Sequence, residues 1–253
     1  MGEKGYLQDS KTRFSSRVEN YVKYRPSYPK EIIIFLTQEG ILSKASIIAD
    51  IGSGTGILTK LFLENSNKVY GVEPNDDMRK AGEFYLKDYP EFISRKGTAE
   101  STGLSDKSID LIIIGQAFHW FDIKLTKAEF RRILKKNGHI VIVWNTRRKS
   151  GTPFLEDYEK LISKYGTDYK QVRMNEKTVD EFFKYQLETF YNYQDLNFEG
   201  FKGRLLSASY IPLKDDSKFE EMINDLKELF AKYQQNGMIR IDYDTKLYYG
   251  VLK

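Results

Sequence analysis

An acid followed by three alternating glycines is the part of this chain best suited to holding a ligand. The segment Asp50-Ile51-Gly52-Ser53-Gly54-Thr55-Gly56 follows an apolar run, and a helical pattern begins directly after it at Ile57. Each glycine can adopt a positive φ or leave open the space of a Cβ, so the backbone can approach a ligand closely. The amide-rich start of the next helix should face the same turn. The pattern therefore predicts strand, tight loop and helix around a small molecule.

The glycine spacing disfavours two common nucleotide loops. A dinucleotide fingerprint has glycine at its sixth position, where this chain has Ile57, and no Gly-Lys-Ser/Thr of a P-loop follows. A second acid, Glu73, stands about twenty residues beyond the glycines, at the end of the next predicted strand. A carboxylate at that position can accept two hydrogen bonds from a ribose diol.

Aromatic side chains follow the fourth predicted strand, in the run Gln116-Ala117-Phe118-His119-Trp120-Phe121-Asp122. Two wide rings and an imidazole at a strand's carboxyl end can line a pocket that excludes water, and the ring faces attract a cation. Two interpretations of His119 stay open. It is either a catalytic proton acceptor or a structural histidine that is hydrogen-bonded within its loop.

These segments resemble class I S-adenosylmethionine-dependent methyltransferases, whose first motif is an Asp-x-Gly-x-Gly-x-Gly loop. Residues 117–121 resemble an Ala-x-His-Trp-Phe signature, and residues 14–29 resemble a Phe…Tyr-x-x-x-Arg-Pro-x-Tyr-Pro signature. Both signatures are typical of the small-molecule methyltransferases related to trans-aconitate and other carboxylate O-methyltransferases, of the methyltransferase domain 11 type.

The resemblance implies a cofactor site for S-adenosylmethionine, with S-adenosylhomocysteine as product, and an adjoining substrate site. An arginine can pair bidentately with the cofactor's carboxylate, and tyrosine hydroxyls can bond beside it. Expected cofactor contacts are Tyr21, Arg25, Asp50, Gly52, Ser53, Gly54, Gly56, Glu73, Pro74, Met78, Thr98, Ala99, Glu100, Gln116 and Ala117. Expected substrate contacts are Tyr28, His119, Trp120, Phe121, Ser207 and Tyr210.

Strand and helix patterns alternate from residue 46 to about residue 145, which predicts a parallel sheet with crossover helices. The expected strands are Ser46 to Ile51, Lys68 to Glu73, Glu91 to Gly97, Ile109 to Gly115, Gly138 to Asn145, Arg204 to Ile211 and Met238 to Leu252, the last interrupted at residues 242–244. The predicted fold class is α/β. We expect a Rossmann-like, seven-stranded, mostly parallel sheet with helices on both faces, an antiparallel last strand and a helical cap insertion.

This pattern divides the chain into four segments, and the resemblance implies the role of each. Residues 1–45 form an N-terminal helical segment that contributes to the cofactor site, and residues 46–145 form the S-adenosylmethionine-binding α/β core. Residues 146–203 are expected to be a helical cap or substrate insertion, and residues 204–253 to complete the sheet. The insertion would lie at the carboxyl edge of the sheet, where open α/β folds bind ligands.

The composition of the 253-residue chain excludes several kinds of site. It has no cysteine and only two histidines, so disulfides, thiolate metal sites and a cysteine nucleophile are excluded, and we expect no metal. The net charge of +4 describes a mixed surface. No apolar run is long enough to span a membrane, and the N-terminus lacks a signal-peptide core, so we expect a cytoplasmic monomer or homodimer.

The predicted activity is methyl transfer from S-adenosylmethionine to a small molecule, with a carboxylate or hydroxyl acceptor. One alternative is a nucleic-acid methyltransferase, which is disfavoured because the chain has no Asn/Asp-Pro-Pro-Tyr motif, no catalytic cysteine and no appended RNA-binding domain. The other is a non-catalytic S-adenosylmethionine-binding domain.

Overall fold

A seven-stranded sheet forms the centre of the computed structural model, which describes residues 18–167 and 176–252. The strands lie in the order β3-β2-β1-β4-β5-β7-β6. They are β1 (Ile47–Ile51), β2 (Lys68–Val72), β3 (Phe92–Arg95), β4 (Ile109–Gly115), β5 (Leu134–Arg147), β6 (Phe183–Leu196) and β7 (Ile239–Leu252). Strands β1 to β5 pair in parallel, and β7 runs antiparallel to both β5 and β6. The predicted Rossmann-like sheet with an antiparallel last strand is confirmed.

Helices connect these strands. They are α1 (Val18–Tyr24), α2 (Glu31–Gln38), α3 (Ile57–Glu64), α4 (Asp76–Tyr85), α5 (Ile123–Ile133), α6 (Pro153–Tyr165), α7 (Glu176–Phe182), α8 (Phe198–Leu206) and α9 (Phe219–Tyr233). A short 3-10 helix spans Phe118–Trp120. None of the helices in the described ranges is long and apolar enough to cross a membrane.

Both faces of the sheet are covered by buried apolar side chains. Along β4, Ile112 and Ile114 belong to one buried cluster, whereas Leu111 and Ile113 belong to another. Successive side chains of a strand point to opposite faces, so the two clusters lie on opposite sides of the sheet. Packing on both faces holds the strands, and therefore their carboxyl ends, in place.

The sixth strand is not where the sequence placed it. Residues Arg204 to Ile211, expected as a strand, hold the end of α8 and the turn after it, so that prediction is wrong. The Asn197 side chain caps α8 by accepting a hydrogen bond from the Gly200 N–H at 2.9 Å. Phe201 and Leu205, four residues apart, then lie buried on one face of the helix.

Strand β6 lies within residues 146–203, the segment predicted to be a helical insertion. Its side chains alternate between half-buried and exposed, because β6 is an edge strand of the sheet. The expected interruption of the last strand at residues 242–244 is also wrong. Strand β7 continues through Tyr243, which is buried, while the two flanking aspartates accept hydrogen bonds from Tyr191 and Arg148.

A third buried cluster joins the helices α6, α8 and α9 to the start of β7. The rings of Phe154, Tyr158 and Phe201 pack together at its centre, with centroids 4.9 to 5.8 Å apart. The helical layer thus comes from two chain segments, one after β5 and one between β6 and β7. The role of residues 146–203 as a cap over a substrate stays a prediction.

Candidate functional site

A cavity of about 370 Å³ opens at the carboxyl ends of β1, β4 and β5. Its walls come from the glycine loop, the residues at the ends of β4 and β5, part of β7, the N-terminal segment and α8 with its following turn. They include Arg25, Tyr28, Asp50, Gly52, Ser53, Gly54, Gln116, His119, Trp120, Trp144, Arg204, Tyr210 and Lys246. This is the edge at which open α/β sheets bind ligands.

The glycine loop has the backbone that its sequence predicts. Gly52 and Gly54 have φ values of +71° and +55°, in the left-handed region that favours glycine. A Cβ on Gly52 would lie 2.6 Å from the Cβ of Ala117, and one on Gly54 would lie 3.3 Å from Met78 Cε. A side chain at Gly52 would therefore collide with the loop after β4. Ala117, expected at the cofactor, is buried beneath the glycine loop and does not line the cavity.

Glu73 holds the glycine loop from the end of β2. Its Oε2 accepts a hydrogen bond from the Gly54 N–H at 2.9 Å, and its Oε1 accepts one from the Asn75 N–H at 2.8 Å. Burial raises the pKa of this carboxyl, and the two backbone hydrogen bonds oppose the rise. Each carboxylate oxygen can accept a further bond, so the site leaves acceptor capacity for a diol.

Asp50 is buried at the end of β1. Its Oδ2 accepts a hydrogen bond from the Thr59 hydroxyl at 2.6 Å, whereas its Oδ1 is buried without a partner in the part of the chain that the structure describes. Burial raises its pKa to about 7. A buried carboxyl oxygen that lacks a donor is costly, unless a ligand supplies the donor.

His119 lies in the cavity wall with both ring nitrogens buried. Neither nitrogen has a hydrogen-bond partner among residues 18–167 and 176–252, so the interpretation of a histidine hydrogen-bonded within its loop is wrong. Its ring centroid lies 4.4 Å from that of Trp120 and 5.3 Å from that of Trp144. Burial among these rings lowers its pKa to about 4, so the imidazole is neutral at physiological pH.

The N-terminal segment reaches the same cavity. Arg25 and Tyr28 line it, and Arg25 Nη2 donates a hydrogen bond to the Ser207 carbonyl at 2.9 Å. The side chain of Tyr21, expected as a cofactor contact, lies outside the described residues. Ser207, expected to face substrate, is 0% exposed, and its hydroxyl donates to the Arg204 carbonyl, so Ser209 lines the cavity in its place. Tyr210 lies in the wall as expected.

The residues expected at the ribose and adenine lie apart from this cavity, at the same edge of the sheet. Met78 and Ala99 are buried, and Glu100 Oε1 accepts a hydrogen bond from the Asp122 N–H at 2.9 Å. The expected contacts that do not line the cavity are Gly56, Glu73, Pro74, Met78, Thr98, Ala99, Glu100, Ala117, Phe121 and Ser207. Apart from the substrate contact of Ser207, their roles stay predictions.

Several cavity residues were not expected from the sequence. Trp144, Asn145 and Thr146 end the fifth strand, so the rule that ligands bind at carboxyl ends of strands points to them. Arg204 and Lys246 carried no such signal, because Arg204 was assigned to a strand and Lys246 reaches the cavity only through the antiparallel pairing of β7 with β5.

Residues 49–142 match the family model of a methyltransferase domain. This segment is thus similar to methyltransferase domains. It contains the glycine loop, Glu73 and the His119 loop. The match supports the predicted resemblance to class I S-adenosylmethionine-dependent methyltransferases, while the placement in the trans-aconitate subgroup stays a prediction.

Curated relatives carry the same description. The chain is 34% identical over 161 residues to an uncharacterised methyltransferase-like protein of Schizosaccharomyces pombe. The aligned residues cover 63% of this chain and 61% of that protein. It is 36% identical over 140 residues to an uncharacterised methyltransferase of Mycobacterium bovis, covering 55% of each chain. The chain thus spans less than two thirds of the length of these relatives.

Solved structures share the fold. A candidate type II methyltransferase from Anaeromyxobacter dehalogenans superposes with a TM-score of 0.70 at 19% identity, covering 90% of this chain and 97% of that chain. A Haemonchus contortus phosphoethanolamine N-methyltransferase, solved with S-adenosylhomocysteine and phosphomonomethylethanolamine, gives a TM-score of 0.56 at 13% identity. It covers 97% of this chain and 59% of that chain, and at this identity the likeness concerns the fold alone.

Proposed function

We propose that this protein transfers the methyl group of S-adenosylmethionine to a small-molecule acceptor, a carboxylate or a hydroxyl. The observation that carries the proposal is the glycine loop beside the cavity, where Gly52 and Gly54 adopt positive φ and a Cβ on Gly52 would collide with Ala117. The match of residues 49–142 to the family model of a methyltransferase domain supports it.

The residues present fit S-adenosylmethionine. The unpartnered Oδ1 of Asp50 and the bare backbone of Gly52 to Gly54 suit the methionine part, and Arg25 in the cavity wall suits its carboxylate. Glu73 has acceptor capacity for the ribose hydroxyls. Bound there, the cofactor would supply an electrophilic methyl group on a sulfonium.

The protein's own contribution is to position the acceptor and exclude water. His119, Trp120 and Trp144 form one wall of the cavity, with their ring planes tilted or edge-on to one another. The faces of tryptophan rings attract a nearby cation. An apolar wall that excludes water also prevents water from competing as a methyl acceptor. Alignment of acceptor and donor needs no covalent intermediate on the enzyme.

The acceptor decides whether His119 has a chemical role. A carboxylate acceptor is ionised at neutral pH and requires no base, whereas a hydroxyl must lose a proton. The neutral ring of His119 could take that proton, but its pKa of about 4 makes it a weak base. The burial of this ring therefore favours an acceptor that is already ionised.

A ligand comparison followed by an acceptor screen tests the proposal. S-adenosylmethionine and S-adenosylhomocysteine should raise the unfolding temperature, whereas NAD should not, because Ile57 replaces the third glycine of a dinucleotide loop. Carboxylic acids, phenols and amines are then screened for release of S-adenosylhomocysteine. Stabilisation by NAD alone, or binding of S-adenosylmethionine without turnover of any acceptor class, contradicts the proposal.

A further inference from the structure

Arg204 is a buried arginine in the wall of the cavity. It lies near the end of α8, and only 8% of its surface is exposed. Its Nε donates a hydrogen bond to the Tyr243 hydroxyl at 3.0 Å, and that hydroxyl donates to Gln194 Oε1 at 2.8 Å. This chain of hydrogen bonds fixes the plane of the guanidinium and leaves the N–H groups of its two Nη nitrogens for another acceptor.

Arg204 has no carboxylate partner in the described part of the chain. Its other contacts there are with tyrosine, including the ring of Tyr243 at 5.9 Å from the guanidinium carbon. A buried charge without a counter-ion is strongly disfavoured, and a guanidinium does not lose its proton to escape that cost. Within the described residues, the positive charge of Arg204 therefore lacks a counter-ion.

Three other cations of the same cavity differ from Arg204 in this respect. Arg147 and Lys149 both contact Glu159, and Lys246 contacts Glu176 at 2.9 Å. Each of these three side chains pairs with a carboxylate, whereas the buried guanidinium of Arg204 faces the cavity with no carboxylate partner among residues 18–167 and 176–252. An anion in the cavity could therefore form an ion pair with Arg204.

We propose that Arg204 binds a carboxylate of the methyl acceptor and so selects anionic acceptors over neutral ones. The planar guanidinium fork matches a carboxylate bidentately, and one uncompensated positive charge matches one negative charge better than the nearly double charge of a phosphate. The proposal rests on the proposed function, because it assigns the cavity to the acceptor.

The assignment is tested by comparing the binding affinity of an acid with that of its amide, a measurement that requires no methyl transfer. Benzoate with benzamide and cinnamate with cinnamamide differ mainly in the charge offered to Arg204. Their affinities are measured by calorimetry on the full chain saturated with S-adenosylhomocysteine. We expect at least one acid to bind about tenfold or more tightly than its amide, as a charged hydrogen-bonded pair provides.

Substitutions of Arg204 test whether this residue causes the preference for the acid over the amide. Arg204→Gln should abolish the preference for the acid, and Arg204→Lys, which keeps the charge without the fork, should retain part of it. If Arg204→Gln fails to fold, Arg204→Lys still tests the inference, because the preference for the acid should be weaker than in the wild type. Arg240→Gln is the matched control, because Arg240 is an exposed arginine that pairs with Asp195. It should leave the preference unchanged.

The outcomes separate this inference from the proposed function. Wild-type protein that prefers no acid, or Arg204→Gln protein that keeps the full preference, overturns the inference even if S-adenosylhomocysteine binds. A loss of S-adenosylhomocysteine affinity in Arg204→Gln, with folding intact, also overturns it, because Arg204 would then serve the cofactor. Failure of the wild type to bind S-adenosylhomocysteine counts against the proposed function, and the acid–amide comparison is then made on the protein alone.

Discussion

The Glu73 carboxylate accepts a hydrogen bond from the backbone N–H of Gly54 at 2.9 Å, and this bond joins the end of β2 to the glycine loop after β1. The Gly52 N–H donates to the Val72 carbonyl at 2.9 Å and ties the same two segments together. The loop is therefore held by its neighbouring strand before any ligand arrives. One side chain thus supports the loop and leaves acceptor capacity for the ribose.

Replacing the Glu73 carboxylate tests this double role. In Glu73→Gln an NH₂ group replaces one of the two acceptor oxygens, so the backbone N–H of either Gly54 or Asn75 loses its partner. We expect a loss of about 1–3 kcal/mol in the free energy of unfolding and a fall of roughly tenfold or more in affinity for S-adenosylmethionine. Urea unfolding and calorimetry measure these quantities. The matched control is Glu64→Gln, because Glu64 is an exposed glutamate that makes a 3.9 Å helical ion pair with Lys60 and accepts a 3.5 Å hydrogen bond from the Tyr89 hydroxyl. An equal effect in this control would contradict the assignment.

Alanine substitutions at two glycines of nearly equal φ distinguish the cost of backbone strain from the cost of a steric clash. Gly40 and Gly52 have φ values of +70° and +71°, but a Cβ on Gly40 meets nothing within 4 Å, whereas one on Gly52 meets Ala117 at 2.6 Å. Gly40→Ala should cost about 1 kcal/mol of stability through strain alone and leave cofactor binding intact. Gly52→Ala should cost more and abolish cofactor binding. Chemical unfolding and calorimetry distinguish them, and equal losses would show that packing at Ala117 is unimportant.

The sequence predicted the cofactor half of the site better than the acceptor half, for physical reasons. Gly52 and Glu73 are set by local rules, since turn conformation and the position of an acid at a strand end are visible in a short window. The position of Arg204 depends on packing between distant segments. Residues 204–211 contain Leu and Ile at spacings that suit a strand, and only the Asn197 cap shows that a helix begins upstream.

The buried ring of His119 predicts a pH-dependent contribution to stability. Its pKa is lowered from 6.5 to about 4 in the folded protein, so between these values the unfolded chain binds more protons. The stability from the neutral ring is full above about pH 6.5 and is lost as the pH falls towards 4. The free energy of unfolding of wild type relative to His119→Phe should therefore drop by about 3 kcal/mol between pH 7 and pH 4. A difference that does not change with pH in urea titrations would show that the ring is protonated or exposed.

Activity of His119→Ala distinguishes the two acceptor classes. With a carboxylate acceptor we expect the turnover number to fall only about tenfold or less, because the acceptor needs no base and only packing against Trp120 and Trp144 is lost. The measurement is the steady-state release of S-adenosylhomocysteine at saturating cofactor. A loss of several orders of magnitude with binding intact would instead identify His119 as a general base.

Calorimetric titration of S-adenosylmethionine into wild-type protein and into the variant that combines Gly54→Val with Glu73→Ala tests the central claim most directly. The first change puts a branched side chain on a residue with φ of +55° against Met78, and the second removes the carboxylate that holds the loop. We predict binding to the wild type and no measurable binding to a folded double variant. Equal affinity in the two proteins, or no binding to the wild type, would contradict the assignment of this loop as the cofactor site.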